Sequence, residues 1–234
     1  MQVKFVLDFD GVLFNSAFEA YSVANLATAS NPSFRQDITY EEFLEFRSVV
    51  TDAWQYNRLY NATRNVPASA LRDVSPDESD WFFSRTFFEA RKTIMADPDW
   101  PKVMPPYDFF LLIKPLLLRY PKRFAVLSTR NVQSIRETMA FHDADVLPVF
   151  GQEDIRRVGS KLAVAKEQRW LEPGQWLIVY VDDMNNHLEP FEGQIHLPLH
   201  ANWGYDRATP GSLSAQQVMT IITSLISLIE GDRE

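Results

Sequence analysis

The sequence predicts an α/β fold, a parallel sheet covered by helices on both faces, with an all-helical segment inserted after the first strand. Three observations carry this. Short continuous apolar runs recur along the 234 residues, helical patterns separate most of them, and carboxylates or hydroxyls stand at the carboxyl ends of several runs. Strands that alternate with helices imply crossover connections, and strands apolar at successive positions suit a sheet buried on both sides. In such sheets ligands sit beyond the carboxyl ends of the strands.

The first strand is Val3-Lys-Phe-Val-Leu-Asp-Phe-Asp, broken at Gly11. From Ser16 to Lys102 the pattern is helical, with no strand. Thr39-x-x-Glu42 has capping-box spacing and opens a helix whose Phe43, Leu44, Phe46, Val49 and Val50 form an apolar stripe. A second helix is expected over 78–96. Residues 61–76, with Pro67 and Pro76, read as the connection, and Pro105-Pro106 marks the return. The expected division is a core of residues 1–15 and 103–234 and a helical insertion of residues 16–102. Later strands are expected at Phe124–Leu127, Val146–Phe150, Trp176–Val181 and Ile195–Leu199. The last helix opens at Ser214-x-x-Gln217 and carries Val218, Ile221, Ile222, Leu225, Ile226 and Ile229 on one face.

Composition narrows the function classes. Seventeen Phe, 8 Tyr and 6 Trp supply a globular core, and a net charge of −8 opposes binding to nucleic acid or anionic lipid. With no Cys, disulfides, a thiol nucleophile and thiolate metal sites are excluded, so any metal is held by oxygen or imidazole. Asp8 and Asp10 interrupt the apolar start, which lacks the basic region of a signal peptide. The apolar stretch 218–229 is shorter than the ~20 residues of a membrane span. The expectation is a soluble, cytoplasmic protein with no nucleic-acid or membrane partner. Oligomeric state is not legible.

Asp8 and Asp10 flank Phe9 at a strand end that is turning toward Gly11. Two carboxylates so close repel unless a cation relieves them, and a hard divalent ion such as Mg2+ takes one or two carboxylates plus water and phosphate oxygens. Asp-x-Asp also occurs in ordinary turns. Asp182-Asp183 closes the strand 176–181 in the same way, so four carboxylates are expected at one sheet edge. Ser128-Thr129-Arg130-Asn131 ends another strand, with groups suited to an anionic oxygen. Lys161 follows Gly159-Ser160 at a helix start, where ammonium and helix N-terminus together favour phosphate.

These segments, in this order, resemble the motifs of the haloacid dehalogenase-like hydrolase superfamily. Asp8-Phe-Asp10-Gly11-Val-Leu-Phe-Asn15-Ser16 is similar to its first motif, Ser128 to the second, Lys161 to the third and Asp182-Asp183 to the fourth. The resemblance implies a Rossmann-like core, a helical cap in the insertion and Mg2+ as cofactor. It implies Asp8 as nucleophile, forming an aspartyl-phosphate, and Asp10 as general acid and then base. Ser128, Thr129 and Lys161 would bind phosphate, and Asp8, Asp10, Asp183 and Asp182 would be the metal set. Asp182-Asp183-Met184 departs from the common Gly-Asp pattern, which leaves open which carboxylate ligates, and Asn15 stands where many relatives have Asp. A general acid suits ester cleavage rather than halide departure. The implied activity is a phosphatase acting on a small phosphorylated metabolite. A phosphotransferase or mutase with the same intermediate, or a binding protein that retains the fold, are the alternatives.

Other residues fit structural roles as well as functional ones. Lys166 lies further into the helix and reads as solvated. Thr129 and Arg130 fit phosphate binding, helix capping or pairing with acids. His196 and His200 have zinc-like spacing, but Pro198 between them argues against a helix. Trp54, Tyr56, Arg58, Tyr60 and Arg64 fit either contact with a leaving group or helix packing, with packing favoured. Phe82, Phe83, Phe87 and Phe88 read as packing. Trp203-Gly204-Tyr205 is placed at the border of the site.

Overall fold

The computed structural model describes residues 2–172, 174, 176–205 and 209–231. The chain divides into two compact units, Met1–Asn15 with Pro106–Glu234, and Ser16–Pro105. In the first, five strands form one sheet: β1 (Gln2–Leu7), β2 (Phe124–Leu127), β3 (Val149–Phe150), β4 (Trp176–Asp182) and β5 (Leu197–His200). Their order is β3-β2-β1-β4-β5, and every pairing is parallel.

Strand alternation assigns the faces. Val6 on β1, Ala125 and Leu127 on β2, and Ile178 and Tyr180 on β4 join Val164, Ala165, Leu188 and Phe191 in one apolar cluster. Phe5 and Phe124 lie on the other face and stack at 4.9 Å. Lys4 is the charged exception within β1. Its ammonium donates to the carbonyls of Lys122 (3.0 Å) and Phe124 (3.3 Å), and burial pushes it down to about 8.

Two strands are shorter or shifted relative to the sequence expectation. The run 146–150 contributes only Val149–Phe150, because Pro148 has no N–H for the ladder and offers only its carbonyl, to Val126 N–H at 2.9 Å. At the other edge the strand is Leu197–His200 rather than 195–199 and tolerates Pro198, since an edge strand loses least from a missing donor.

The second unit is helical, with α1 (Ser16–Thr28), α2 (Tyr40–Arg47), α3 (Asn57–Tyr60) and α4 (Glu78–Met95). Thr39 caps α2 by accepting from Glu42 N–H at 3.2 Å. The Glu42 carboxylate, however, takes the Arg35 guanidinium at 2.6 Å instead of completing a capping box. Val49 and Val50 lie beyond the helix end and pack from the side. Aromatic stacking fills this core, Phe43 on Tyr56 at 4.7 Å and Tyr56 on Phe87 at 5.7 Å. On α4 the helical period separates the four phenylalanines. Phe83 and Phe87 are buried one turn apart, while Phe82 and Phe88 are 56% and 45% exposed.

The first unit continues with α5 (Asp108–Arg119), α6 (Val132–Phe141), α7 (Gln152–Val158), α8 (Lys161–Glu167), α9 (Asn185–Leu188) and α10 (Ala215–Gly231). Helix α10 packs on β1 and α5 and opens with a reciprocal box, in which Ser214 N–H donates to Gln217 and Gln217 N–H to Ser214.

Candidate active site

Parallel pairing brings the chemistry together. Leu7 is in register with Val181, and Asp8 N–H donates to Val181 carbonyl at 2.9 Å, so Asp8 and Asp182 leave neighbouring strands at the same level. Alternation from Val6 and Tyr180 puts both side chains on the face that α8 covers. Helix α8 begins at Lys161, with Ser160 as its cap accepting from Ala163 N–H at 3.0 Å.

Lys161 is buried, and its ammonium lies 2.8 Å from Asp182 Oδ2, 3.2 Å from Asp8 Oδ1, 3.0 Å from the Tyr180 hydroxyl and 3.3 Å from His187 Nδ1. Burial alone would depress its pKa. The carboxylates of Asp182 and Asp8 outweigh that and hold it above the ordinary lysine value. One oxygen each of Asp8 and Asp182 and a His187 nitrogen lie within 4.8 Å of one another, a spacing that suits a divalent ion. Lys161 contacts all three, so an ammonium already occupies the middle of this triangle and offsets part of its charge. Lys166 is exposed.

The neighbouring carboxylates differ sharply. Asp182 accepts from Lys161 and the Tyr180 hydroxyl on Oδ2, and on Oδ1 from Met184 N–H at 3.0 Å, with His187 Nδ1 at 3.2 Å. Burial would raise its pKa, but Lys161 and His187 keep it below the usual carboxylate range. Asp183 is pinched between two glycines. A Cβ on Gly11, whose φ is +80°, would stand 2.1 Å from Asp183 Oδ2, and one on Gly204 would stand 2.2 Å from its Cβ. Its Oδ2 accepts from Tyr205 N–H at 2.6 Å, whereas its Oδ1 is buried without a hydrogen-bond partner among the described residues. Burial, then Asp182 and Asp8, push the Asp183 carboxyl well above its ordinary value. Asp8 is pushed up to about 6, chiefly by burial, against the pull of Lys161. Its Oδ1 meets Lys161 as a charge contact without hydrogen-bond alignment.

Buried carboxylate oxygens with no donor, held at raised pKa by desolvation and by one another, have the chemistry that a hard divalent cation satisfies. Asp8 and Asp183 therefore fit such an ion. Asp182, with both oxygens engaged, does not.

The remaining sequence candidates separate clearly. Ser128 is fully buried at the end of β2, where its Oγ accepts from Arg130 N–H at 3.3 Å. Thr129 is exposed. Arg130 pairs with Asp10, Nε to Oδ1 at 2.8 Å. Trp203 Nε1–H donates to Val12 carbonyl at 3.0 Å, and Gly204 and Tyr205 cradle Asp183, so this segment does border the site. His200 Nε2 lies 3.0 Å from the Asp183 carbonyl, and His196 Nδ1 accepts from Ile178 N–H at 3.2 Å. Tyr180, His187 and His200 were not among the sequence candidates for this cluster. His187, a few residues after Asp183, offered only its nearness in the chain as a signal.

In the helical unit the aromatic and basic group resolves into packing. Trp54, Tyr56 and Tyr60 are buried, Arg58 pairs with buried Asp80, and Arg64 pairs with Asp77.

No family model and no curated protein matches the chain. Solved structures do. A proposed phosphoglycolate phosphatase from Lactobacillus delbrueckii subsp. bulgaricus aligns over 95% of this chain and 99% of its own, with TM-score 0.65 at 16% identity. A haloacid dehalogenase-like family hydrolase from Streptococcus pneumoniae covers 94% and 98%, with TM-score 0.58 at 12% identity. CbbY from Rhodobacter sphaeroides, solved in complex with phosphate, covers 92% and 93%, with TM-score 0.56 at 17% identity. The chain thus has the α/β fold of haloacid dehalogenase-like hydrolases, as its motifs led one to expect.

Proposed function

We propose that this protein is a divalent-metal-dependent phosphohydrolase, with Mg2+ as the metal, that cleaves a small organic phosphate monoester through an aspartyl-phosphate. The observation that carries the reading is the excess of buried carboxylates where β1 and β4 end, with Asp183 Oδ1 left without a donor among the described residues. The shared fold, and the phosphatase and phosphate-bound proteins among the structures that share it, support it. By its place in the chain, we read the helical unit as the cap.

In this mechanism the Asp8 carboxylate attacks phosphorus. The bond to the leaving oxygen breaks, and the Asp10 carboxyl gives that oxygen a proton. Asp10, now a carboxylate, takes a proton from water as the water oxygen attacks the same phosphorus. The Asp8–phosphorus bond then breaks, releasing inorganic phosphate and restoring Asp8. Lys161 stabilises charge on the transferring phosphoryl group, and Ser128 and Thr129 take its oxygens. Asp182 anchors Lys161 through the 2.8 Å ion pair. When bound, Mg2+ would be held by Asp8, Asp183 and the Asp10 carbonyl, and it would screen the repulsion between the nucleophile and an anionic substrate.

The test is hydrolysis of 4-nitrophenyl phosphate and of a panel of cellular phosphate esters, with and without Mg2+, by wild type and Asp8→Asn. The expected result is Mg2+-dependent turnover that falls at least about 1,000-fold in the variant, the order seen when a reacting nucleophile is removed. Turnover in Asp8→Asn close to that of wild type removes Asp8 as nucleophile.

A further inference from the structure

We propose that Arg130 is a positioning residue for the acid–base step, setting the Asp10 carboxyl so that one oxygen is tied down and the other is aimed at proton transfer. The inference rests on the phosphohydrolase reading and deepens it. The two residues are 120 positions apart in sequence, yet Arg130 Nε donates to Asp10 Oδ1 at 2.8 Å, with the arginine side chain 7% and the aspartate 18% exposed. An acid–base group has to be reachable, and Asp10 is the more open of the pair.

The arginine is itself held from several sides. Its Nη1 donates to Ser134 Oγ at 3.1 Å, on α6, and its guanidinium lies 5.9 Å from the centre of the Phe9 ring, the residue between Asp8 and Asp10. Its backbone is clamped as well. The Arg130 carbonyl accepts from Gln152 N–H at 2.8 Å, and a Cβ on Gly151 would stand 2.7 Å from that carbonyl. Such a well-supported guanidinium fixes the direction of any carboxylate it binds, because its donors lie in one rigid plane.

Proton delivery is sensitive to placement, since the acid must reach the leaving oxygen within hydrogen-bond distance as the phosphorus–oxygen bond breaks. With Oδ1 accepting from Arg130, Oδ2 is the oxygen placed to exchange a proton with the leaving group. Asp10 gives it to the leaving oxygen and later recovers one from water, so the cycle balances without a change in Arg130. An arginine that bound only phosphate would act differently, for it would help every ester equally.

That difference supplies the experiment. Phenyl, 4-chlorophenyl and 4-nitrophenyl phosphate are close in shape but differ in how much their leaving oxygen needs a proton. Values of kcat/KM, which report phosphoryl transfer to Asp8, are measured with Mg2+ for wild type, Arg130→Ala, Arg130→Lys, Asp10→Asn and the Arg130→Ala/Asp10→Asn double variant. The expected loss in Arg130→Ala is about 10-fold or more greater on the phenyl ester than on the 4-nitrophenyl ester, within the ~100- to 10,000-fold range of general acid catalysis. Arg130→Lys recovers part of that difference. In the double variant, removing Arg130 adds no further leaving-group dependence to Asp10→Asn, as expected if it acts through Asp10.

Equal losses on all three esters, or additive effects in the double variant, overturn the positioning role while leaving the phosphohydrolase reading intact. A folded wild type that hydrolyses none of these esters and no member of the panel overturns both. Should Arg130→Ala fail to fold, Arg130→Lys against wild type across the same three esters decides the question in the same way.

Discussion

Each unit gathers charged side chains around a buried carboxylate, and the two groups are balanced differently. In the helical unit Asp77 and Asp80 meet Arg58 and Arg64, with Asn57 Nδ2 donating to Asp80 Oδ1 at 2.7 Å, two acids against two bases. At the strand ends, among the described residues, Asp8, Asp10, Asp182 and Asp183 face Lys161 and Arg130, four acids against two cations, with the His187 imidazole beside Asp182. Buried charge has to be paired, so the first group balances its own charge, even though Arg58 Nε and Asn57 Oδ1 find no hydrogen-bond partner among the described residues, whereas the second has an unmet demand for positive charge. The excess distinguishes a site from a structural network, although both are built from the same residue types.

Breaking the balanced group therefore has the largest expected effect on stability. Asp80→Ala leaves Arg58 buried opposite no full partner and should cost about 3–5 kcal/mol, read from denaturant unfolding. A loss below about 1 kcal/mol would mean that the network is not needed for the fold.

Removing a charge from the unbalanced group should do the reverse. Asp8 rises from 3.8 to about 6 on folding, so the folded state holds its proton more tightly than the unfolded state. Stability from this group is therefore present at low pH and lost as pH rises through about 6. At roughly 1.4 kcal/mol per pH unit, Asp8→Asn should be more stable than wild type by about 2–3 kcal/mol at pH 7.5 in chelator, and by almost nothing at pH 4. Equal stabilities at both pH values would show that Lys161 already neutralises Asp8.

The smallest effect tests the cradle around Asp183. In Gly204→Ala the added Cβ would stand 2.2 Å from Asp183 Cβ, so the carboxylate must shift, at a cost of roughly 1–3 kcal/mol in unfolding free energy. The thermal stabilisation produced by Mg2+ should fall with it. Full retention of that stabilisation would remove Asp183 as a ligand.

Much of the fold was legible because it is written in local patterns. The run 124–127 and the helix near 78–96 were placed by apolar periodicity and caps, and the strand-end carboxylates by where those runs stop. The edge strands were blurred by Pro148 and Pro198, which alter pairing without altering hydrophobicity. The aromatic and basic group at 54–64 was ambiguous for a comparable reason. Helical spacing puts residues on a face but does not say whether Asp80 waits there to receive Arg58.

What the sequence determined by itself is therefore the alternation of strands and helices, the inserted helical stretch and the residue types available for chemistry. Only the tertiary structure decided which neighbour does what. Asp182 and Asp183 are adjacent in the chain, yet the pleat sends one toward Lys161 and Tyr180 and the other between Gly11 and Gly204. Arg130 finds Asp10 across 120 residues because β1 and β2 lie side by side and end together. The physical reason is one of range. Backbone preferences act over a few residues, whereas the balance of buried charge is set by groups that only the sheet order brings within a few ångströms of each other.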